Sequence, residues 1–362
     1  MFNNHFFINK KILINGCTGF KGSWLTIWLH LLGAELYGLA LDPPTKPSLY
    51  EEANLKKIIK NNILDIRDSE KVANLISKIK PDYIFHLAAQ PLVKESYLKP
   101  IKTWETNVIG TVNILDSLRF LEKKCIGIII TSDKCYENQE WDWGYRETDI
   151  LGGSDPYSAS KGSAELVFKS YFQSFFSNSS ITKIKIASAR AGNVIGGGDW
   201  AQDRIVPDCI KSWVKELPVR IKSPNSTRPF QHVLEPISGY ISLAERLNTK
   251  DEINGQSFNF GPLSNSNYKV IDLVKELARN WKDARWEISS KKNKFSESKL
   301  LKLNCDKALS LLHWQPTLDF QKTMQLTSDW YHSFYNENYF DVFKKCCDQI
   351  STFSNMKKTS KT

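Results

Sequence analysis

The first 190 residues alternate two hydrophobic patterns. Short apolar runs recur at Lys11-Ile-Leu-Ile-Asn15, 36–41, a run closing at Ile63-Leu64, 83–89, 126–132 and 184–188. Their length and their polar, turn-forming borders predict six strands. Longer segments at 20–32, 69–79, 100–121 and 156–176 predict helices, the second clearly amphipathic and the last opening on Asp155-Pro156, a helix-start pair. Ile126-Gly-Ile-Ile-Ile130 is almost wholly apolar, as a strand covered on both faces must be. Strands alternating with helices imply right-handed βαβ units and an α/β fold with a doubly wound parallel sheet.

After about residue 190 the rhythm breaks. Gly196-Gly197-Gly198-Asp199-Trp200 reads as a crossing, and short elements with Pro and Gly turns follow to about 336. Ser257-Phe-Asn-Phe260 reads as one more strand that returns to the sheet edge. The expected organisation is a dinucleotide-binding domain at 1–193, with a return within 229–261, and a smaller, discontinuous substrate-binding lobe, mainly 194–336. A Ser-, Asn- and Lys-rich extension at 337–362 follows, and its last dozen residues are expected to lack fixed structure.

Composition narrows the class. A chain of 362 residues exceeds one ordinary core, and 41% hydrophobic with 24% charged residues are globular values. No apolar run approaches the ~18 residues of a membrane span, and Met1 to Lys11 has no signal-peptide layout, so a cytoplasmic protein is expected. Seven cysteines (17, 125, 135, 209, 305, 346 and 347) form no CxxC pair and no zinc spacing, which suits reduced thiols and no metal. The net charge of +10 comes from dispersed lysines, among them Lys56, Lys60, Lys123, Lys291, Lys292, Lys294 and Lys361. Without an aromatic–basic ribbon they do not point to nucleic acid, and suit an anionic small substrate instead.

The candidate chemistry starts after the first strand. Gly16-Cys17-Thr18-Gly19-Phe20-Lys21-Gly22 opens a helix, the context in which glycines let a backbone approach a pyrophosphate seated on the helix N-terminus. Asp42 lies twenty residues beyond Gly22, where a carboxylate accepts from a ribose 2′-OH and repels a 2′-phosphate, favouring NAD over NADP. Asp42 also fits a plain turn before Pro43-Pro44. Asp65 and Ile66 follow the third strand as candidates for the adenine, with an N-cap as the competing role for Asp65. Ala88 and Ala89 end the fourth strand in small side chains against which a cofactor can lie. Asn107, polar and mid-helix, suggests a buried hydrogen bond; His86 reads as a core histidine.

Tyr157 and Lys161 share a helix face at i, i+4. An ammonium beside the phenol is expected to favour phenolate, so that the Tyr can take a proton from a sugar hydroxyl. Thr131-Ser132-Asp133-Lys134 adds a second acid/base pair, which suggests oxidation followed by elimination.

The glycine spacing, Ala88-Ala89, Ser132 and Tyr157-x-x-x-Lys161 resemble the extended short-chain dehydrogenases/reductases that act on nucleotide sugars, over roughly residues 8–335. Leu41-Asp-Pro-Pro-Thr45, Thr131-Ser-Asp-Lys-Cys-Tyr-Glu-Asn138, Asp155-Pro-Tyr-Ser158, Ala189-Arg-Ala-Gly-Asn-Val-Ile-Gly-Gly-Gly-Asp-Trp200 and Arg228-Pro-Phe-Gln-His-Val-Leu-Glu-Pro236 resemble its 4,6-dehydratases, with CDP-glucose as the implied substrate. The resemblance implies a Rossmann-type fold and a bound NAD at Gly16, Thr18, Gly19, Phe20, Gly22, Asp42, Asp65, Ile66, Ala88, Ala89, Asn107, Tyr157 and Lys161. It implies substrate contacts from Gln90, Ser132, Asn193, Arg204, Arg228 and His232. It also implies a homodimer, or dimer of dimers, through helices 100–121 and 156–176, and a place in deoxysugar or lipopolysaccharide synthesis.

The implied course is oxidation at C4, with Tyr157 taking the O4 proton through Ser132. Lys134, if neutral, then removes the C5 proton while Asp133, if protonated, serves the departing C6 hydroxyl. If Lys134 stays cationic it stabilises the enolate instead, and Tyr157 takes the proton. One departure stands out: relatives acting on dTDP- and GDP-sugars carry Asp-Glu where this chain has Asp133-Lys134. The competing readings are a 4-epimerase, which lacks the second pair, a dehydratase of another nucleoside-diphosphate glucose, and a non-catalytic binding protein, which would need a broken Tyr–Lys pair.

Overall fold

The computed structural model describes residues 5–263, 266, 268–289 and 300–359; Lys291, Lys292, Lys294 and Lys361 lie outside them. Seven parallel strands form the central sheet: β1 (Lys11–Asn15), β2 (Glu35–Ala40), β3 (Ile59–Ile63), β4 (Tyr83–His86), β5 (Cys125–Ile130), β6 (Ile184–Arg190) and β7 (Ser257–Asn259). Their order is β7-β6-β5-β4-β1-β2-β3, so the winding reverses between β1 and β4. A ligand crevice opens outside the strand C-termini at such a reversal. Every residue of β5 is buried, as its unbroken apolar run requires. The strand read at 257–260 pairs with β6 through Ser257↔Ser188 and Asn259↔Arg190 at the sheet edge.

Helix α1 (Phe20–Leu31) and helix α2 (Ser69–Ile79) agree with the hydrophobic periodicity. The third helix, α3, spans 100–118 rather than 100–121 and carries a π-turn at Glu105–Ile109. The fourth, α4 (Pro156–Tyr171), runs into a second π-turn at Phe172–Phe176. Strand β4 stops at His86, short of the expected Ala89, because the chain must leave the sheet to pass the glycine loop: a Cβ at Gly16 would lie 2.8 Å from the Ala88 nitrogen.

The second half adds α5 (Ile205–Trp213), α6 (Leu234–Thr249) and small two-stranded pairs, one joining Thr227–Arg228 to Tyr268–Lys269. Helices α7 (Phe320–Asn336) and α8 (Val342–Thr359) close the chain. The crossing at 196–200 is pinned on α7: the Trp200 indole donates to Tyr335 at 2.9 Å and stacks edge-on to Trp330 at 5.6 Å.

The tail corrects one expectation. Residues 351–359, read as lacking structure, finish α8, and 360–362 lie outside the described residues. Val342, Cys346, Ile350 and Phe353 are all buried, an i, i+4, i+8, i+11 stripe that the polar composition masked. Phe353 packs edge-on against Trp28 of α1 at 5.7 Å. Among the described residues no helix is long and apolar enough to cross a membrane, and the seven cysteines are free thiols, five of them buried.

Candidate active site

The glycine loop is built for close approach. Gly16 has φ +84°, a left-handed conformation, and a Cβ at Gly22 would meet the Gly16 carbonyl at 2.1 Å. Gly19 stands at the N-cap of α1 with no side chain capping it. The first-turn N–H groups are therefore open to an anion, and the bare cradle fits a dinucleotide pyrophosphate. Thr18 donates its hydroxyl to the Leu41 carbonyl at 2.9 Å, tying the loop to the segment that carries Asp42. Asp42 is exposed and lines a cleft of about 830 Å³ with Thr18, Pro43, Tyr50, Asn61 and Ile63.

Across the sheet, Ile66 is buried in space left by Gly110, where a Cβ would lie 2.4 Å from its Cδ1. Asp65 takes both guanidinium contacts of Arg67, at 2.7–3.1 Å, and is not an N-cap: Asp68 caps α2. Asn107 sits in the π-turn of α3. Its amide accepts from Gln90 N at 2.8 Å and donates to the Gln90 carbonyl and to Ser160, so it fixes the loop after β4 against α4.

Strand β5 ends at Ile130, two residues before the expected Ser132. Ser132 caps a tight turn, Asp133–Cys135, by accepting from Lys134 N at 3.2 Å. The turn breaks the strand's alternation, which otherwise sends neighbouring side chains to opposite faces. The Asp133 carboxylate is buried, accepting from Ser132 at 2.8 Å and from Asn193 at 3.0 Å. It fills a slot that exists because residue 192 is Gly: a Cβ there would lie 2.0 Å from the carboxylate. Lys134 is half-buried.

Helix α4 brings Tyr157 and Lys161 to this turn. Asp155 caps it, accepting from Tyr157 N at 3.0 Å and Ser158 N at 2.9 Å, with Pro156 at the first position. Both side chains are buried, and the phenol hydrogen-bonds with Ser132. The electrostatics differ from the simple expectation. Burial pushes the Tyr157 phenol up to about 12, opposed chiefly by the Ser132 bond. Burial pulls Lys161 itself down to about 8. Desolvation outweighs the ammonium that was expected to favour phenolate.

Under the site lies an ion pair that sequence reasoning missed. Glu165, one turn beyond Lys161, meets Arg190 at 2.7 Å, and also accepts from Thr131 and Ser188. Burial alone would raise this carboxyl; the guanidinium and the hydrogen bonds outweigh it and hold it below its usual range. This pair locks α4 to β5 and β6. The only signal was two opposite charges inside otherwise apolar segments. His86 is a core residue as expected, bonded to Thr111 at 3.2 Å and pushed down to about 3 by burial, then by Lys161.

The expected substrate group is only partly assembled. Asn193 reaches Asp133, and Arg204, one-third exposed, pairs with buried Asp199 at 2.8 Å. Arg228 is half-buried in the second lobe, its guanidinium donating to Thr227 O at 2.8 Å. Gln90 is drawn back into its own loop, bonded to Leu92 and Thr103. His232 is fully buried, its ring edge-on to Trp24 at 6.3 Å. Lys21, to which the sequence reading gave no role, lies in the field of Lys161, Arg204 and Asp133.

A family model described as GDP-mannose 4,6 dehydratase matches residues 13–327. The CDP-glucose 4,6-dehydratase of Salmonella typhimurium is 45% identical over 91% of this chain and 93% of its own length. Pal from Bacillus thuringiensis superposes with a TM-score of 0.76 at 24% identity, over 90% of this chain and 99% of that one. A UDP-glucuronic acid 4-epimerase from Bacillus cereus, solved with NAD, superposes with a TM-score of 0.74 at 22% identity, over 90% of this chain and 100% of that one. The two structures show the shared fold, and the family match covers most of the chain. On these grounds the chain belongs to the GDP-mannose 4,6 dehydratase family, within the extended short-chain dehydrogenases/reductases.

Proposed function

We propose that this protein is an NAD-dependent CDP-glucose 4,6-dehydratase, converting CDP-glucose to CDP-4-dehydro-6-deoxyglucose with no net redox change. The observation that carries this reading is the Ser132-Asp133-Lys134 turn set against Tyr157 in one buried cluster, in a chain 45% identical to a CDP-glucose 4,6-dehydratase. A 4-epimerase needs the tyrosine but has no use for a buried carboxylate seated in a glycine-made slot.

NAD, held at the glycine loop and Asp42, would supply the hydride chemistry at C4 and C6. The chain's own residues do the rest. Gly16, Gly19 and Gly22 admit the pyrophosphate, Asp42 takes the ribose hydroxyls, and Ile66, Ala88 and Ala89 bound the nucleotide. Tyr157 withdraws the O4 proton through Ser132, and Lys161 orients the ribose beneath it. The C4 ketone acidifies C5–H. Lys134 removes that proton, and Asp133 gives its own to the C6 oxygen, which leaves as water. Arg228 forks onto the substrate diphosphate, with Asn193 and Arg204 nearer the sugar.

We further infer a homodimer. Leu98, Ile101 and Ile109, on and just before α3, and Leu166 on α4 are 48–74% exposed, an apolar face that a second copy of the same helices would cover. The protein acts in the cytoplasm, in deoxysugar synthesis for surface glycans. The test is incubation with CDP-, dTDP-, UDP- and GDP-glucose. An alkali-labile 4-keto product from CDP-glucose without matching NADH supports the reading; CDP-galactose, or NADH in step with product, overturns it.

A further inference from the structure

Ser132 stands between the two sets of proton-transfer groups in the site. Its hydroxyl accepts from Lys134 N at 3.2 Å, hydrogen-bonds with the Tyr157 phenol and donates to the Asp133 carboxylate at 2.8 Å. A serine hydroxyl has one proton to give and two lone pairs. That proton is directed at Asp133. A further proton reaching the oxygen therefore enters on the lone-pair side, and the proton already shared with Asp133 is the one placed to leave. Asp133 is arranged to receive it. Its other oxygen accepts from the Asn193 amide at 3.0 Å, so both oxygens accept, the pattern of an ionised carboxylate. Elimination needs the carboxylic acid instead.

The proton balance of the reaction leaves the same gap. Oxidation and elimination together add a proton at Tyr157 and Ser132 and remove one from Asp133, and each turnover must return both. Tyr157, Ser132 and Asp133 are 8%, 5% and 4% exposed, so water has little access to any of them. Burial also pushes the Tyr157 phenol up to about 12. It starts as phenol, and a phenol takes a proton only while passing one on.

We propose that Ser132 is a proton relay: the proton withdrawn from O4 during oxidation passes over Ser132 to Asp133, and is the one that Asp133 gives to the C6 oxygen. This rests on the dehydratase reading above and adds the source of the Asp133 proton. In oxidation the C4–H electron pair leaves as hydride to the cofactor, and the O4–H electron pair forms the C4=O bond. The O4 proton joins the Tyr157–Ser132 pair, and the Ser132 proton moves to Asp133. In elimination the C5–H proton goes to the base and its electron pair forms the C5=C6 double bond. The C6–O bond breaks, and the oxygen takes the Asp133 proton and leaves as water. Once hydride returns to C6 and the base returns its proton to C5, every group holds the protons with which it began.

The first arm of the test needs neither cofactor nor substrate. The infrared carboxylate bands of Asp133, assigned by subtracting Asp133→Asn, should shift in Ser132→Ala and stay in place in Ser132→Thr, which keeps the hydroxyl. Bands unmoved in Ser132→Ala overturn the proposal.

The second arm is a single turnover of the NAD-loaded enzyme with CDP-glucose, read as NADH absorbance. Without a relay Asp133 serves elimination alone, and Asp133→Asn oxidises C4 at the wild-type rate; that result overturns the proposal. With the relay, Asp133→Asn has lost the final proton acceptor, and NADH formation slows by ~10²-fold or more, as for the loss of a general base. NAD binding by Asp133→Asn, followed by quenching of tryptophan fluorescence, should match wild type; a loss of binding would make the residue structural and also overturn the relay. A wild type that forms NADH but no dehydrated sugar would sink the dehydratase reading, while the Asp133→Asn arm, which reads oxidation alone, still decides the relay. No NADH from any nucleotide glucose would sink both.

Discussion

At the scale of the residue, the site separates two proton-transfer tasks, and single substitutions should separate them too. Tyr157 is buried with Ser132 as its nearest partner, so Tyr157→Phe should leave cofactor binding intact and remove C4 oxidation. The loss of a general base typically costs ~10²–10⁴-fold, read as NADH absorbance in a single turnover. Lys134→Met keeps the stem and removes the amine. It should oxidise C4 but lose deuterium exchange at C5 in D2O; exchange at the wild-type rate would hand the base to Tyr157. Asp42 is exposed beside the cleft, with Thr18 holding its segment in place. Asp42→Ala should narrow the preference for NAD over NADP, and equal binding of both by the wild type would remove the role. The clash of expectation with structure at Tyr157 is also local: the i, i+4 spacing correctly put both groups on one face, but only burial set the direction of the phenol's shift.

At the scale of the element, helix ends and glycines do most of the placing. Asp155-Pro156 starts α4, Ser132 starts the tight turn, and Gly192 clears room for Asp133. All three motifs stand in the linear sequence, although the slot beside Gly192 does not, since its two walls are sixty residues apart. Helix α6 carries a different kind of constraint. Glu235 in its first turn accepts from Thr317 N at 2.8 Å and Leu318 N at 2.7 Å. Burial nevertheless pushes it up to about 7. Its folded value then exceeds the ~4.3 of an unfolded glutamate. The contribution to stability is therefore fully present below about pH 4 and is lost as pH rises toward 7. Glu235→Gln should gain on wild type between pH 5 and pH 8 in thermal unfolding, and a constant difference across that range would contradict the assignment. The Arg190–Glu165 pair under α4 is buried on both sides. Arg190→Met leaves a carboxylate alone in the interior, at a cost of ~3–5 kcal/mol, measurable as a lower denaturation midpoint with an unchanged slope.

At the scale of the whole molecule, α3 and α4 carry exposed apolar side chains, among them Ile101, Ile109 and Leu166. If these join two copies, Ile101→Asp should shift sedimentation from dimer to monomer while the monomer keeps its circular dichroism. The parallel sheet follows from the sequence, because strands covered on both faces must be apolar and helices between them must cross on one hand; the strand order does not. The glycine loop and the Tyr–Lys face were legible for the same reason: each is set by residues close in the chain. What the sequence left open depends on contacts between distant residues. Helix α8 hid in a polar composition until its apolar stripe met α1. Gln90 bonds to Thr103 and His232 packs edge-on to Trp24, contacts that the motifs around them do not show. Only the tertiary fold, by bringing α4 and β6 together, set Glu165 against Arg190, since a charge's effect depends on its distance to others and on how much water lies between.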